Sequence, residues 1–226
     1  MAPVAAGSSD DEVRGRIAEV YGRGLWSLGW TYIYGQAASR RSPQIVTIGL
    51  SPGGGRTDAA WAEDAHLDQG HTPGIVNAYF DQPWAPNNAP TPLQQQFAVL
   101  RALNPHVPTT DWLSFQFIPF RSPGWAGLPD KPAAIALGEE LLPWTLATAR
   151  PRLIVAFGVT PVAERLLSFL KASLVETCAT GWGSTKARVH HSPVYGRIGL
   201  LPHLSRYRVL GRDRFADEAR LLRAAG

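Results

Sequence analysis

Four short apolar runs, each closed by a glycine, proline or polar loop, constrain the fold of this chain more than any other feature. The first is Ile45, Val46, Ile48 and Leu50, set between Pro43 and the cluster Pro52–Gly55. The second lies in DWLSFQFIPFRSP and is predicted to end at Pro119 or just after it. The third is five apolar residues in a row, Leu153 to Phe157, closed by Gly158. The fourth lies in RIGLLPHLS. Short runs without alternation read as strands buried on both faces.

Helical patterns separate these strands. Ser9 and Glu12 form a capping-box pair ahead of Val13, Ile17, Val20 and Tyr21. Thr91 and Pro92 open a second helix with Phe97, Leu100 and Leu103 on one face. Residues 132–148 predict a third, and Thr160 and Pro161 start a fourth that runs to about Leu170. Arg212–Ala225 predicts a closing helix, and 175–201 reads as β-structure broken by Gly181, Gly183 and Pro193. Trp26, Trp30, Tyr32 and Tyr34 are expected to pack over the core. The alternation predicts one α/β domain over residues 1–226, a three-layer α/β/α sandwich with a central, mostly parallel four-stranded sheet.

Composition narrows the classes. No window approaches the ~18 consecutive apolar residues of a membrane span. The start, MAPVAAGSSDDEV, lacks a basic segment followed by an apolar one, which predicts a cytoplasmic protein without a secretory signal. A single cysteine, Cys178, excludes an internal disulfide and a multi-thiolate site, and reads as a small buried hydrophobe. Six His without a Cys pair or H-E-x-x-H give no metal pattern, and the adjacent His190 and His191 would point to opposite faces of a strand. No metal or cofactor is expected. The net charge of +4 equals that of the segment after Tyr195, which holds seven Arg against three acids. Such a basic tail is compatible with an anionic partner, but charge alone favours a solvated helix face.

In parallel sheets, ligands bind beyond the carboxyl ends of the strands. Three such ends carry polar or Gly/Pro-rich loops: Gly49-Leu50-Ser51-Pro52-Gly53, Gln116-Phe117-Ile118-Pro119-Phe120-Arg121, and Pro202-His203-Leu204-Ser205-Arg206. In order and position they resemble the motifs of the uracil-DNA glycosylase superfamily, over roughly residues 44–215. The resemblance implies a uracil-DNA glycosylase-like fold. It also implies an N-glycosyl hydrolase of base-excision repair that removes uracil flipped out of single- or double-stranded DNA, acting as a monomer.

The resemblance also distributes roles. His203 would donate to uracil O2 as charge develops there, because a departing base anion needs a positioned donor. Gln116 would read the Watson–Crick edge, accepting from N3–H and donating to O4. The superfamily commonly has Asn at this position, so the longer arm leaves the preferred base open. Ser51 stands where members often carry Asp or Asn to orient water. A hydroxyl holds a water but is a poor base at neutral pH, so Asp81 and Asn77 are candidate activators. Tyr79 and Phe80, or else Phe117 and Phe120, would stack on the base beside Leu50, a contact that contributes ~1–3 kcal/mol per base. Pro52, Gly53, Gly54 and Gly55 would approach the DNA backbone. Arg56, Arg121, Ser205, Arg206 and Arg208 would form a basic rim on phosphates. Two other readings stay open: a nucleic-acid-binding protein without catalysis, and an enzyme acting on free nucleosides or nucleotides.

Overall fold

The computed structural model describes residues 4–35, 37–53, 76–84 and 87–224. Its helices are α1 (Asp10–Arg23), α2 (Ala78–Asp81), α3 (Pro92–Leu103), α4 (Lys131–Thr145), α5 (Ala163–Phe169) and α6 (Leu204–Tyr207). Its strands are β1 (Ile45–Gly49), β2 (Trp112–Gln116), β3 (Leu153–Phe157), β4 (Ser173–Ala179), β5 (Lys186–Ser192) and β6 (Gly196–Leu201). Two helix starts follow their sequence signals closely. Ser9 Oγ accepts from Glu12 N while the Glu12 carboxylate accepts from Ser9 N, and Thr91 and Gln94 repeat the arrangement with Pro92 in the first turn. Each box satisfies two backbone donors that the first helical turn leaves without partners. At Thr160–Val162 a short 3₁₀ turn precedes α5, and Thr160 makes no side-chain cap.

The strands form one sheet in the order β2-β1-β3-β6-β5-β4. β2, β1, β3 and β6 are parallel, whereas β5 is antiparallel to β6 and β4 to β5. The sheet therefore has six strands rather than the four expected. The extra pair is the hairpin within 173–192. It falls largely in the stretch 175–201 read as β-structure, but its outer strand exposes Leu174 and Val175, so no buried apolar run showed that it joins the central sheet. The predicted strand end at Pro119 also moves back, to Gln116.

Successive strand residues face opposite sides, and the core divides accordingly. Val46, Ile48, Phe115, Ile154 and Ala156 pack beneath α1, α4 and α5. Ile45, Trp112, Val155, Phe157 and Leu201 pack beneath α3, α6 and the C-terminal segment. Helices thus cover both faces of a mostly parallel sheet. Trp26, Trp30, Tyr32 and Tyr34 are all buried, as their clustering predicts.

The closing helix predicted over Arg212–Ala225 is not formed; Asp213–Phe215 and Glu218–Leu222 make 3₁₀ turns. A buried side chain supplies the reason. Asn104 Nδ2 donates to Leu222 O, and Asn104 Oδ1 accepts from Ala224 N. These bonds hold the chain ends in a shape that buries Phe215, Ala219, Leu222 and Ala224. Tertiary hydrogen bonding overrides the local helical pattern.

Candidate active site

The parallel strands end level with one another: Gly49 pairs with Gln116 and with Phe157, and Phe157 with Leu201. A cavity of about 380 Å³ opens just beyond these ends. Ser51, Gln116 and His203, from three separate loops or strand ends, share its wall with Tyr79, Phe157 and Arg121.

Gln116 is 4% exposed and its Nε2 donates to Tyr79 Oη at 2.9 Å. That bond leaves Nε2 one further hydrogen. Oε1 is buried without a hydrogen-bond partner among the described residues. An unpaired buried acceptor costs ~1–3 kcal/mol, which a ligand donor would recover. The amide lies over the Gly49 backbone, where any Cβ would overlap Oε1. Glycine at the end of β1 is thus required for close approach.

Tyr79 is held by a chain of buried polar contacts. Thr47 Oγ1 donates to Ser114 Oγ at 2.7 Å, Asn77 Nδ2 donates to the same Ser114 Oγ at 2.8 Å, and Asn77 Oδ1 accepts from Tyr79 N. The Tyr79 ring stacks on Phe97 at 3.8 Å and on Tyr34 at 5.0 Å. Burial first, and Tyr34 second, push its pKa well above the ordinary value, so it remains a neutral phenol.

His203 follows β6 and starts α6. Its Nδ1 lies 2.9 Å from Ser205 Oγ. When the hydroxyl donates, Nδ1 is the acceptor and Nε2 carries the proton, ready to donate. A Cβ on Gly158 would come within 3.0 Å of the imidazole Cδ2, and Gly158 itself has a φ of +67°, which favours glycine. The residue is exposed at the cavity mouth while its ring rests against that turn. The resulting partial desolvation, followed by Arg206, holds its pKa below the ordinary 6.5, and the imidazole is neutral at pH 7.

Several predicted site residues are placed otherwise. Asp81 does not line the cavity; its Oδ2 accepts from Val76 N and Asn77 N and closes the α2 turn. Asn77 is fully buried and spends its amide on Ser114 and Tyr79. Neither is positioned to activate water. Tyr79 reaches the cavity, but at 2% exposure its ring offers no free face to a base. Phe80 packs edge-on against Trp112 and Phe97, Phe117 is fully buried beside Gly138 of α4, and Phe120 stacks on Trp26 at 3.9 Å.

The basic rim also changes. Arg121 is 5% exposed; its Nη1 donates to Gly53 O and its Nη2 to Thr31 Oγ1. It shapes the loop after β1 rather than presenting a surface cation. Arg208, at the left-handed C-cap of α6, is exposed and lines no part of the cavity. Ser205 lines the cavity, and Arg206 lies in an adjoining groove. Leu50 and Gly53 contribute to the wall, and Pro52 is buried behind it. Gly54, Gly55 and Arg56 lie outside the described residues.

Sequence reasoning missed Phe157, Tyr34, Trp84 and Trp125, all of which line the cavity. Phe157 carried a usable signal: it ends the third strand, level with Gly49 and Gln116. Among the described residues, the cavity wall contains no carboxylate, and no group of three or more His, Cys, Asp or Glu is placed to hold a metal. No helix of the described residues is long and apolar enough to cross a membrane. No protein-family model and no curated protein sequence matches this chain.

Proposed function

We propose that this chain is a uracil-DNA glycosylase-type N-glycosyl hydrolase, taking a flipped-out uracil into the cavity at the ends of β1, β2, β3 and β6. The observation that carries the reading is the shared wall of Gln116 and His203, an amide with a spare donor and acceptor beside a neutral imidazole.

Uracil N3–H would donate to Gln116 Oε1, and the second Nε2 hydrogen would meet O4. Cytosine has no hydrogen on N3 and carries an amino group in place of O4, so it satisfies neither bond. Tyr79 fixes which end of the amide faces which atom, because its hydroxyl accepts one Nε2 hydrogen. Phe157 also lines the wall, but at 3% exposure and packed against Tyr79 and Phe97 it offers a base an apolar edge and no free ring face.

Bond breaking would proceed with departure of the base ahead of water attack. The C1′–N1 bond breaks and its electron pair moves onto the uracil ring, where His203 Nε2–H donates to O2. A preorganised donor of this kind contributes ~10²–10³ in rate. Water then adds to the cationic C1′ and releases a proton to solvent, the uracil anion takes up a proton from solvent, and free uracil and an abasic sugar result. Ser51 at the wall can hold that water by a hydrogen bond. The lack of a carboxylate among the described wall residues suits a mechanism that leans on the leaving group rather than on a strong base.

The deciding experiment is a uracil-containing oligonucleotide incubated with the purified protein and then treated with alkali. Strand scission that is lost in His203→Ala is the expected result. Intact strands at enzyme excess, on single- and double-stranded substrate alike, would exclude catalysis. Retained affinity for uracil-containing DNA in that case would favour the reading as a binding protein.

A further inference from the structure

A second, larger groove of about 760 Å³ adjoins the cavity, and Leu50, Trp125, His203 and Ser205 line both. Beyond them it runs between the α5 end of the sheet, at Thr160–Glu164, and the β5–β6 side. Lys186 and Arg188 of β5, and Arg206 beside His203, line it. Along β5 these first two are exposed, alternating with buried Ala187 and Val189, so both project from one face of the sheet. None of the three cations forms an ion pair among the described residues. Among the described lining residues Glu164 is the one acid, so these carry a net positive charge.

The β4–β5 turn is fastened to the His203 loop. Trp182 Nε1 donates to Tyr207 O, the Trp182 and Tyr207 rings meet edge to face, and the Arg212 guanidinium lies 4.2 Å over the Trp182 ring. The hairpin cations are thereby held near the loop that carries His203. Trp125 and Tyr207 add two partly exposed aromatic rings to the groove.

We propose that the β4–β5 hairpin and the His203 loop form a single-stranded DNA track leading out of the base cavity, with Lys186, Arg188 and Arg206 on consecutive phosphates and Trp125 and Tyr207 under unpaired bases. This rests on the nucleic-acid part of the function proposed above, and not on catalysis. Cations serve any phosphodiester backbone; the partly exposed Trp125 and Tyr207, each with a cation near its ring (Lys131 and Arg206), favour bases that are not already paired. The hairpin that lay outside the expected four-stranded sheet thus acquires a role.

The test is fluorescence anisotropy with labelled oligothymidylate, which contains no uracil, titrated at several salt concentrations. The protein is the full chain and its Lys186→Gln/Arg188→Gln double variant. Each phosphate contact on a single strand contributes about 0.7 to the slope of log K against log salt, so the double variant should lose ~1.4 of slope. Glu164→Gln should tighten binding. Thermal protection by free uracil should be the same in the double variant as in the parent, which also shows that the variant is folded. An unchanged slope in the double variant would overturn the track, as would a parent protein that binds duplex as tightly as single strands. If the slope falls as expected but uracil excision is absent, the track stands and the glycosylase reading falls.

Discussion

Gly49 and Gln116 are register partners across β1 and β2, and the Gln116 amide occupies the space that any side chain at Gly49 would need. The pairing turns a backbone position into a specificity element. Gly49 has an ordinary extended conformation, so its requirement comes from the neighbour and not from its own dihedrals.

Gly49→Ala should therefore leave the sheet intact while pushing the amide off Tyr79. Displacement of a reading group by ~1 Å costs on the order of 10²-fold in rate. Excision of uracil should fall by that amount, with melting temperature little changed. Unaltered excision by a folded variant would show that the amide at this position does not read the base.

The pH profile should follow His203. Its folded pKa lies below 6.5, so the neutral donor persists through neutrality and the excision rate is flat there. As pH falls through that lowered value the rate should decline, because Nδ1 takes a proton and no longer accepts from the Ser205 hydroxyl that orients the ring. Arg206→Gln removes one of the groups that depress the pKa, and should move this acid limb to higher pH. A limb that stays in place would assign it to another group.

His190 gives a stability prediction away from the cavity. It is 6% exposed, and neither ring nitrogen has a hydrogen-bond partner among the described residues. Burial, then Arg188, lower its pKa from 6.5. The unfolded chain therefore takes up the proton first. Stability contributed by the neutral ring is complete above 6.5 and is lost as pH falls through the lower folded value. His190→Leu removes an unsatisfied buried ring, worth about 1–3 kcal/mol. The melting temperature should rise by ~2–4 °C per kcal/mol, and part of the acid sensitivity should disappear. A lower melting temperature at pH 7 would mean that the ring is satisfied in solution.

Asn104 carries the C-terminal segment, bonding Leu100 O, Leu222 O and Ala224 N. Asn104→Ala leaves those buried groups short of partners at ~1–3 kcal/mol each. Urea unfolding should show a large loss of stability, and proteolysis should release the segment after Val209 first. Unchanged stability would mean that apolar packing of Phe215 and Leu222 suffices.

What the sequence disclosed was local chemistry. Ser9 with Glu12 and Thr91 with Gln94 act over three residues, and the apolar runs from Ile45 and Leu153 need no distant partner to be read as buried strands. The strand-end rule brought Ser51, Gln116 and His203 to one wall. What it could not disclose depends on distant partners. The buried ring of Tyr79 is set by Phe97 and Tyr34, the C-terminal turns by Asn104, and the inward turn of Arg121 by Thr31 and Gly53. β4 lies largely in the stretch read as β-structure, but as an edge strand with exposed Leu174 and Val175 it gave no buried run to show that it extends the sheet.

The level strand ends have one more implication. Neighbours along β2 alternate in the face they present, so the cavity has Gln116 while Phe117 packs away on the other side. Slipping β2 by a single residue against β1 would seat a phenyl group where the amide stands and turn Trp112, Leu113 and Phe115 to the wrong faces of the sheet. Identity of the ligand is in this sense encoded by parity: one deleted residue upstream in that strand would do more harm to recognition than many substitutions on the surface around it.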